Sequence, residues 1–194
     1  YGEKIGKEKF LETDIPNPKS LYAVGKLASE NYLKIYNEQF GIDYTILRYF
    51  NVYGPGQNLF NLKQGMISIY LSQFLNEEHK EVIIKGSNKR FRDFCYIDDV
   101  VNITIQSIND ENFKNEIINV GTGIKTAVDE IIFHIQNISS IKKPISIKEN
   151  TPGDQYGIYA DVSKLKKLID FEVTKLDKGL EKMINWAKLN NKKS

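Results

Sequence analysis

Residues 44–55 read Tyr-Thr-Ile-Leu-Arg-Tyr-Phe-Asn-Val-Tyr-Gly-Pro, and the arrangement of the chain follows from this stretch. Tyr44 to Phe50 is rich in residues that favour strands, which predicts a buried strand of a parallel sheet. In open α/β sheets, ligands bind beyond the carboxyl ends of the strands. We therefore expect Asn51 and the turn Tyr53-Gly54-Pro55 to lie at a ligand-binding crevice.

A helix is predicted just before this strand, from Ser20 to Phe40. Ser20 suits the N-cap and Gly41 suits the C-cap. The residues that would form the apolar face of the helix are Leu27, Tyr32, Leu33 and Tyr36. The helix and the strand are therefore expected to converge on the same crevice.

Tyr22 and Lys26 lie four residues apart in this helix, so the phenol and the ammonium share one face. A free phenol has a pKa of about 10 and is a poor base at neutral pH, but a cation held close favours the phenolate. The pair can therefore act as a general base. The spacing by itself indicates little, because many surface helices carry such a pair by chance.

Four motifs occur in a fixed order along the chain. They are Tyr22-Ala23-Val24-Gly25-Lys26, the set Leu47, Arg48, Asn51, Tyr53, Gly54 and Pro55, then Arg92-Asp93-Phe94 with Tyr96-Ile97-Asp98-Asp99-Val100, and Asn119-Val120-Gly121-Thr122-Gly123. In this order they resemble the extended short-chain dehydrogenase/reductase family. Within it, they resemble the NAD-dependent nucleotide-sugar epimerases and dehydratases of the UDP-glucose 4-epimerase type.

The resemblance implies an α/β fold, with part of a doubly wound Rossmann-type parallel sheet and a smaller α/β substrate-binding domain. It assigns residues 1–53 and 92–138 to the NAD-binding domain, and residues 54–91 and 139–194 to the nucleotide-sugar-binding domain. Tyr1-Gly2 matches the end of a Ser-Ser-x-x-Val-Tyr-Gly segment of the family. We therefore expect the chain to be the C-terminal portion of a longer enzyme, whose glycine-rich turn and catalytic Ser or Thr lie upstream.

The resemblance also implies roles for individual residues. Tyr22 would be the catalytic base, and Lys26 would hold the nicotinamide ribose and tune the base. The expected contacts with NAD are Tyr22, Lys26, Tyr49 and Phe50. The expected contacts with the nucleotide sugar are Asn51, Arg92, Gln64, Lys85 and Asp154.

The function implied is epimerisation of a nucleotide sugar through a 4-keto intermediate, with a UDP-hexose as the expected substrate and a homodimer as the expected assembly. A nucleotide-sugar 4,6-dehydratase and a non-catalytic nucleotide-sugar-binding or dimerisation module stay open as alternatives. The chain departs from the family pattern at Thr151, Lys85 and Ile158, where many members carry an arginine or an aromatic residue. These departures leave the nucleotide and the sugar undecided.

Several other residues allow two interpretations. Arg92 suits a diphosphate through its bidentate guanidinium, but it could also pair with Asp93 or Asp98. Asp98-Asp99 could be mistaken for a metal site or a two-carboxylate catalyst, but two carboxylates at the start of a helix favour capping. The turn Gly121-Thr122-Gly123 could cradle a phosphate, but Gly-x-Gly alone is a weak signal, and we interpret it as tight packing.

Composition excludes several classes of protein. The 194 residues carry a net charge of +2 and no basic run interleaved with aromatic residues, so no nucleic-acid partner is predicted. The single cysteine, Cys95, permits neither an internal disulfide nor a thiolate zinc cluster, and it fits a reducing cytoplasm. No signal peptide and no apolar stretch of about 18 residues is present, so no membrane insertion is expected.

The remaining elements follow from periodicity and turn signals. Helices are predicted over 66–75, from Asp98, from Thr126, over 163–169 and over 176–189. Strands are predicted over 81–85, 116–120, 145–148 and 158–161. In the last helix, the residues expected in the core are Met183, Ile184, Trp186 and Leu189.

Overall fold

The computed structural model describes residues 1–2, 9–149 and 155–190. The helices in these ranges are α1 (Leu21–Phe40), α2 (Met66–Leu75), α3 (Ile97–Asn109), α4 (Val128–Ser139), α5 (Ser163–Leu168) and α6 (Leu176–Asn190). The strands are β1 (Thr45–Tyr49), β2 (Asn51–Tyr53), β3 (Val82–Lys85), β4 (Phe91–Arg92), β5 (Phe94–Tyr96), β6 (Glu116–Val120), β7 (Thr126–Ala127), β8 (Ile145–Lys148) and β9 (Gly157–Ile158).

Parallel strand pairs determine where the site lies. β1 pairs with β6, β2 with β5 and β3 with β8, all in parallel. β4 lies between the parallel β9 and the antiparallel β7. The chain changes partner after β1, since the Phe50 N–H donates to the Val120 carbonyl at 3.0 Å and the Asn51 N–H donates to the Asp93 carbonyl at 2.9 Å. A gap where two parallel ladders part is a typical place for a ligand in an α/β sheet.

Helix α1 has the predicted ends. The Ser20 hydroxyl accepts a hydrogen bond from the Ala23 N–H at 3.2 Å, and Gly41 adopts the left-handed conformation with its N–H on the Asn37 carbonyl. The predicted apolar face of α1 is not buried against the described residues, since α1 has no buried residue. Helical periodicity shows that a helix has an apolar face, but it cannot show that a partner surface lies in the same chain.

Two apolar clusters form the core. The first lies among α2, β3, α4 and α6 and includes Tyr53, Tyr96 and Met183. The second joins β6, α3 and α5 and includes Ile118 and Leu165. The division into residues 1–53 with 92–138 and residues 54–91 with 139–194 stays a prediction, while the packing places α4 with α2 and α6, and α5 against β6.

Most predicted elements are present, and two details are corrected. Thr126 does not begin a helix, because Thr126–Ala127 pairs with β4 and α4 starts at Val128. Leu189 is exposed and lies outside the core, whereas Met183 and Ile184 are fully buried and Trp186 packs partly against them. No helix in the described ranges is both long enough and apolar enough to cross a bilayer.

Candidate active site

A cleft of about 520 Å³ lies between α1 and the carboxyl end of β1. Its lining includes Tyr22 and Lys26 from α1, and Tyr49, Phe50 and Asn51 from the end of β1 and the residues that follow. The structure therefore brings together the predicted base, its lysine, the other two predicted NAD contacts and one predicted substrate contact. Their chemical roles stay predictions.

Tyr22 and Lys26 form an exposed pair on α1. The Lys26 ammonium lies 5.6 Å from the centroid of the Tyr22 ring, and the Tyr22 side chain is 73% exposed. An ammonium at this distance is attracted to the ring, so the two side chains are neighbours. The phenolate form of an exposed tyrosine could accept the proton of a bound hydroxyl group.

Tyr1 lines the cleft and Tyr53 lies in the core, and both have surroundings different from those of Tyr22. Burial raises the pKa of Tyr1 to about 12, although Arg48 opposes that effect, and the Tyr1 hydroxyl donates to Asn119 Oδ1 at 2.5 Å. Burial also raises the pKa of Tyr53, whose ring meets the ring of Tyr96 edge-on. Burial therefore disfavours the phenolate form of both side chains.

An ion pair joins α1 to the sheet beside the cleft. Arg48 Nε and Nη2 donate to the two carboxylate oxygens of Glu30 at 2.8 and 2.7 Å. Burial acts to lower the pKa of Arg48, but hydrogen bonds to Glu30 and Tyr1 outweigh it and raise the pKa. The guanidinium also lies over the Tyr1 ring, 4.6 Å from its centroid. Both Glu30 and Arg48 line the cleft.

Arg92 is buried close to the cleft without lining it. Its guanidinium donates to the carbonyls of Phe91 at 2.8 Å and Gln155 at 2.9 Å. In the parallel pair of β4 with β9, Arg92 lies beside Ile158, which does line the cleft. The binding of a diphosphate by Arg92 stays a prediction.

Asp93 holds the glycine turn that follows β6. Its fully buried carboxylate accepts hydrogen bonds from the Thr122 N–H at 2.8 Å, the Thr122 hydroxyl at 2.6 Å, the Gly123 N–H at 2.9 Å and the Ala160 N–H at 3.0 Å. A Cβ atom on Gly121 would lie 2.7 Å from Asp93 Oδ2. The turn is therefore packed around a carboxylate of the protein itself, in agreement with the prediction of tight packing.

The two acidic residues at the start of α3 have separate partners. Asp99 accepts hydrogen bonds from the N–H and the hydroxyl of Thr174, at 2.9 and 2.7 Å. Asp98 Oδ2 lies 3.6 Å from Lys182 Nζ on α6. Both are in the first turn of α3, where carboxylates are favourable. The described part of the chain contains no group of three or more residues able to hold a metal ion.

The other predicted substrate contacts are not brought to the cleft lining. Gln64 is exposed just before α2, where its carbonyl accepts from the Ser68 hydroxyl. Lys85 ends β3 and is exposed, and its carbonyl accepts a hydrogen bond from the buried Arg90. Asp154 and Thr151 lie outside the described residues.

The sequence profile of the NAD dependent epimerase/dehydratase family matches residues 1–121. This chain belongs to that family. The match confirms the family that the four motifs indicated, and the family description agrees with the predicted cofactor, NAD. Within the family profile lie Tyr22, Lys26, Asn51 and Arg92.

Relatives and solved structures of the epimerase/dehydratase family match nearly all of this chain and are longer than it. A protein of Methanocaldococcus jannaschii, provisionally named UDP-glucose 4-epimerase, is 34% identical over 194 residues, which cover 98% of this chain and 62% of that protein. The crystal structure of UDP-glucose 4-epimerase from Thermotoga maritima with UDP-glucose has a TM-score of 0.91 at 31% identity, and it covers 98% of this chain and 60% of that one.

A second structural neighbour is UDP-glucuronic acid 4-epimerase from Bacillus cereus in complex with UDP-glucuronic acid and NAD. Its TM-score is 0.87 at 32% identity, over 97% of this chain and 58% of that one. The chain thus spans less than two thirds of the length of these relatives. The likeness confirms the predicted Rossmann-type α/β fold, of which the chain covers a part.

The ion pair of Arg48 with Glu30 was not predicted from the sequence. A signal for it was present, because Glu30 lies one helical turn beyond Lys26 and Arg48 lies in the strand that ends at the cleft. What could not be read was that the two side chains meet, since this depends on how α1 packs against β1.

Proposed function

We propose that this chain supplies the catalytic Tyr-Lys pair and the nucleotide-sugar-binding part of an NAD-dependent UDP-hexose 4-epimerase. The observation that carries the proposal is that Tyr22 and Lys26 project from α1 into the same cleft as Tyr49, Phe50 and Asn51. Membership of the epimerase/dehydratase family and the likeness to UDP-sugar 4-epimerases support it.

Tyr22 acts as the general base in this proposal. Its phenolate takes the proton from the sugar 4-hydroxyl. After the 4-keto sugar has rotated in the site, the resulting phenol returns a proton to the 4-keto oxygen. NAD, when bound, supplies the redox chemistry at the sugar C4. Lys26 favours the phenolate through its charge and holds the nicotinamide ribose.

Asn51 and Arg92 hold the substrate diphosphate. Asn51 lies where the β1–β6 and β2–β5 ladders part, and Arg92 lies beside Ile158 at the wall of the cleft. A guanidinium binds a diphosphate through charge-assisted hydrogen bonds, which fix both its position and its orientation. Gln64, Lys85 and Asp154 complete the proposed set of substrate contacts.

In this proposal, the chain binds one end of NAD and further residues bind the other end. The cleft suits the nicotinamide end of NAD, while the pyrophosphate requires a glycine-rich turn after a strand, and the 194 residues contain no Gly-x-x-Gly-x-x-Gly. We propose that residues outside the chain provide that turn. A homodimer formed through the exposed apolar residues of α1, and a reducing cytoplasm as the place of action, are part of the same proposal.

The test is Tyr22→Phe in the gene product that carries this chain. Removal of one hydroxyl takes away the base, so kcat for the interconversion of UDP-glucose and UDP-galactose should fall about 10²- to 10⁴-fold. Binding of NAD should persist, because the exposed hydroxyl of Tyr22 contributes little to packing. Tyr36→Phe is the matched control, since it makes the same change at another exposed tyrosine of α1.

Turnover by Tyr22→Phe comparable with that of Tyr36→Phe would refute the assignment of the base. Release of a 4-keto-6-deoxy sugar by the parent protein would favour the dehydratase alternative. Binding of UDP-sugars without any turnover by the parent would favour the non-catalytic module.

A further inference from the structure

Helix α1 carries the proposed catalytic pair, yet it packs weakly against the described core. It buries none of its residues. Its strongest polar link to β1 is the bidentate ion pair of Glu30 with Arg48, whose side chains are only 15% and 13% exposed. Glu30 lies on the same helical face as Tyr22 and Lys26, one turn beyond Lys26.

Arg48 itself is held firmly on the sheet. Its backbone pairs in register with Asn119 of β6, and its Nη1 donates to the Glu12 carbonyl at 3.3 Å. The Tyr1 ring lies against its guanidinium, and the Tyr1 hydroxyl donates to the Asn119 side chain. A guanidinium fixed on several sides offers one geometry to a carboxylate, and a bidentate pair fixes the angle as well as the distance.

Two cations are candidates to pair with Glu30, and the structure pairs it with Arg48 and not with Lys26. Lys26 and Glu30 are four residues apart in a helix, a spacing at which opposite charges attract each other. Arg48 occupies both carboxylate oxygens of Glu30, and the Lys26 ammonium lies instead 5.6 Å from the Tyr22 ring centroid. With Arg48 removed, Glu30 would be an uncompensated negative charge one turn from Lys26.

We propose that Arg48 is a positioning residue for the reaction, which holds Glu30 so that α1 keeps its depth and rotation and Lys26 stays with Tyr22. The proposal rests on the proposed function. The charged and titratable side chains that line the cleft with Tyr22 are Lys26 and Glu30 from α1, Arg48 and Tyr49 from β1, and Tyr1.

The test uses Arg48→Met, Arg48→Lys, Glu30→Gln and the double variant Arg48→Met with Glu30→Gln, in the gene product that carries the chain. Arg48→Met should lower kcat about tenfold or more, with KM for the UDP-sugar nearly unchanged.

The other variants separate charge from geometry. Arg48→Lys keeps the charge but not the bidentate fork, so kcat should still fall. The double variant leaves no charge uncompensated but still lacks the bidentate link between α1 and β1, so its kcat should stay low. Amide hydrogen exchange over residues 21–40 should be faster in Arg48→Met, which reports the loosened helix without any turnover.

Lys164→Met is the control, because it removes another ion pair, with Glu116, on the neighbouring strand. If Arg48→Met lowers only the amount of folded protein, as Lys164→Met does, while kcat per folded molecule and amide exchange over residues 21–40 match those of the parent, the inference is wrong. If Arg48→Met does not fold, a parent-like kcat in both Glu30→Gln and Arg48→Lys overturns it.

Failure of the proposed function would have a different signature. Tyr22→Phe would then retain turnover, whereas hydrogen exchange over α1 would still respond to Arg48→Met. Loss of turnover in Tyr22→Phe together with a parent-like kcat in Arg48→Met would overturn this inference alone.

Discussion

Asp93→Asn changes one oxygen of a fully buried side chain into an NH2 group. The carboxylate accepts four hydrogen bonds, two from Thr122, one from the Gly123 N–H and one from the Ala160 N–H. An asparagine has one oxygen, so its NH2 group must face donors at one side of the site. The best orientation turns the NH2 toward Thr122, whose hydroxyl can rotate and accept, but the Thr122 N–H is then left without a partner.

The magnitude follows from these bonds. A buried donor without a partner costs about 1–3 kcal/mol. The two hydrogen bonds kept at the remaining oxygen lose their charge assistance, at about 1 kcal/mol each. Burying a neutral amide costs less free energy than burying a carboxylate, and this difference offsets part of the loss. We expect the free energy of unfolding to fall by about 2–4 kcal/mol, a large share of the total for an ordinary domain.

The measurement is urea unfolding, followed by the fluorescence of Trp186 and by the reaction of Cys95 with a thiol reagent. Cys95 is fully buried and burial raises its pKa to about 12, so its thiol reacts only after unfolding. Asp129→Asn is the matched control, because Asp129 makes an exposed ion pair with Lys89 and should leave the midpoint close to that of the parent. Equal midpoints for the two variants would refute the account of Asp93.

The remaining predictions concern ligands. Arg92→Ala should weaken binding of the UDP-sugar by about 1.5–3 kcal/mol in titration calorimetry, because charge-assisted bonds to the diphosphate are lost; unchanged affinity, with the unfolding midpoint lowered by loss of the bonds to Gln155 and Phe91, would make Arg92 structural. The 194-residue chain alone should neither bind NAD nor epimerise UDP-, dTDP- or GDP-sugars, and it should aggregate readily, since β1 pairs only with β6 among the described strands. Tight NAD binding by the isolated chain, followed by fluorescence, would show that it completes its own site.

Elements with strong local signals could be predicted from the sequence. Helix α2 spans Met66–Leu75 and strand β6 spans Glu116–Val120, both with the predicted bounds. The ends of α1 follow from Ser20 and Gly41, because capping depends on residues within one turn. The two-residue strand β7 could not be predicted, because it exists only through its pairing with β4.

The residues of the candidate site likewise fall into those with a local signal in the sequence and those without one. Tyr22 and Lys26 could be placed together because four residues along a helix is a local distance. The ion pair of Arg48 with Glu30 and the role of Asp93 could not be derived, because each depends on segments brought together by the fold. The roles of Gln64 and Lys85 came from the family resemblance alone, and the positions of these residues away from the cleft lining leave those roles as predictions.

The strand pairings have a consequence for how the protein folds. Four of the five pairings among the described strands are parallel, and they join distant segments, such as Thr45 with Glu116 and Val82 with Ile145. Each must close a long loop before its hydrogen bonds repay the lost entropy, so folding is expected to be slow. During that delay the apolar strands are open to other chains, and slow synthesis at low temperature should raise the yield of folded protein.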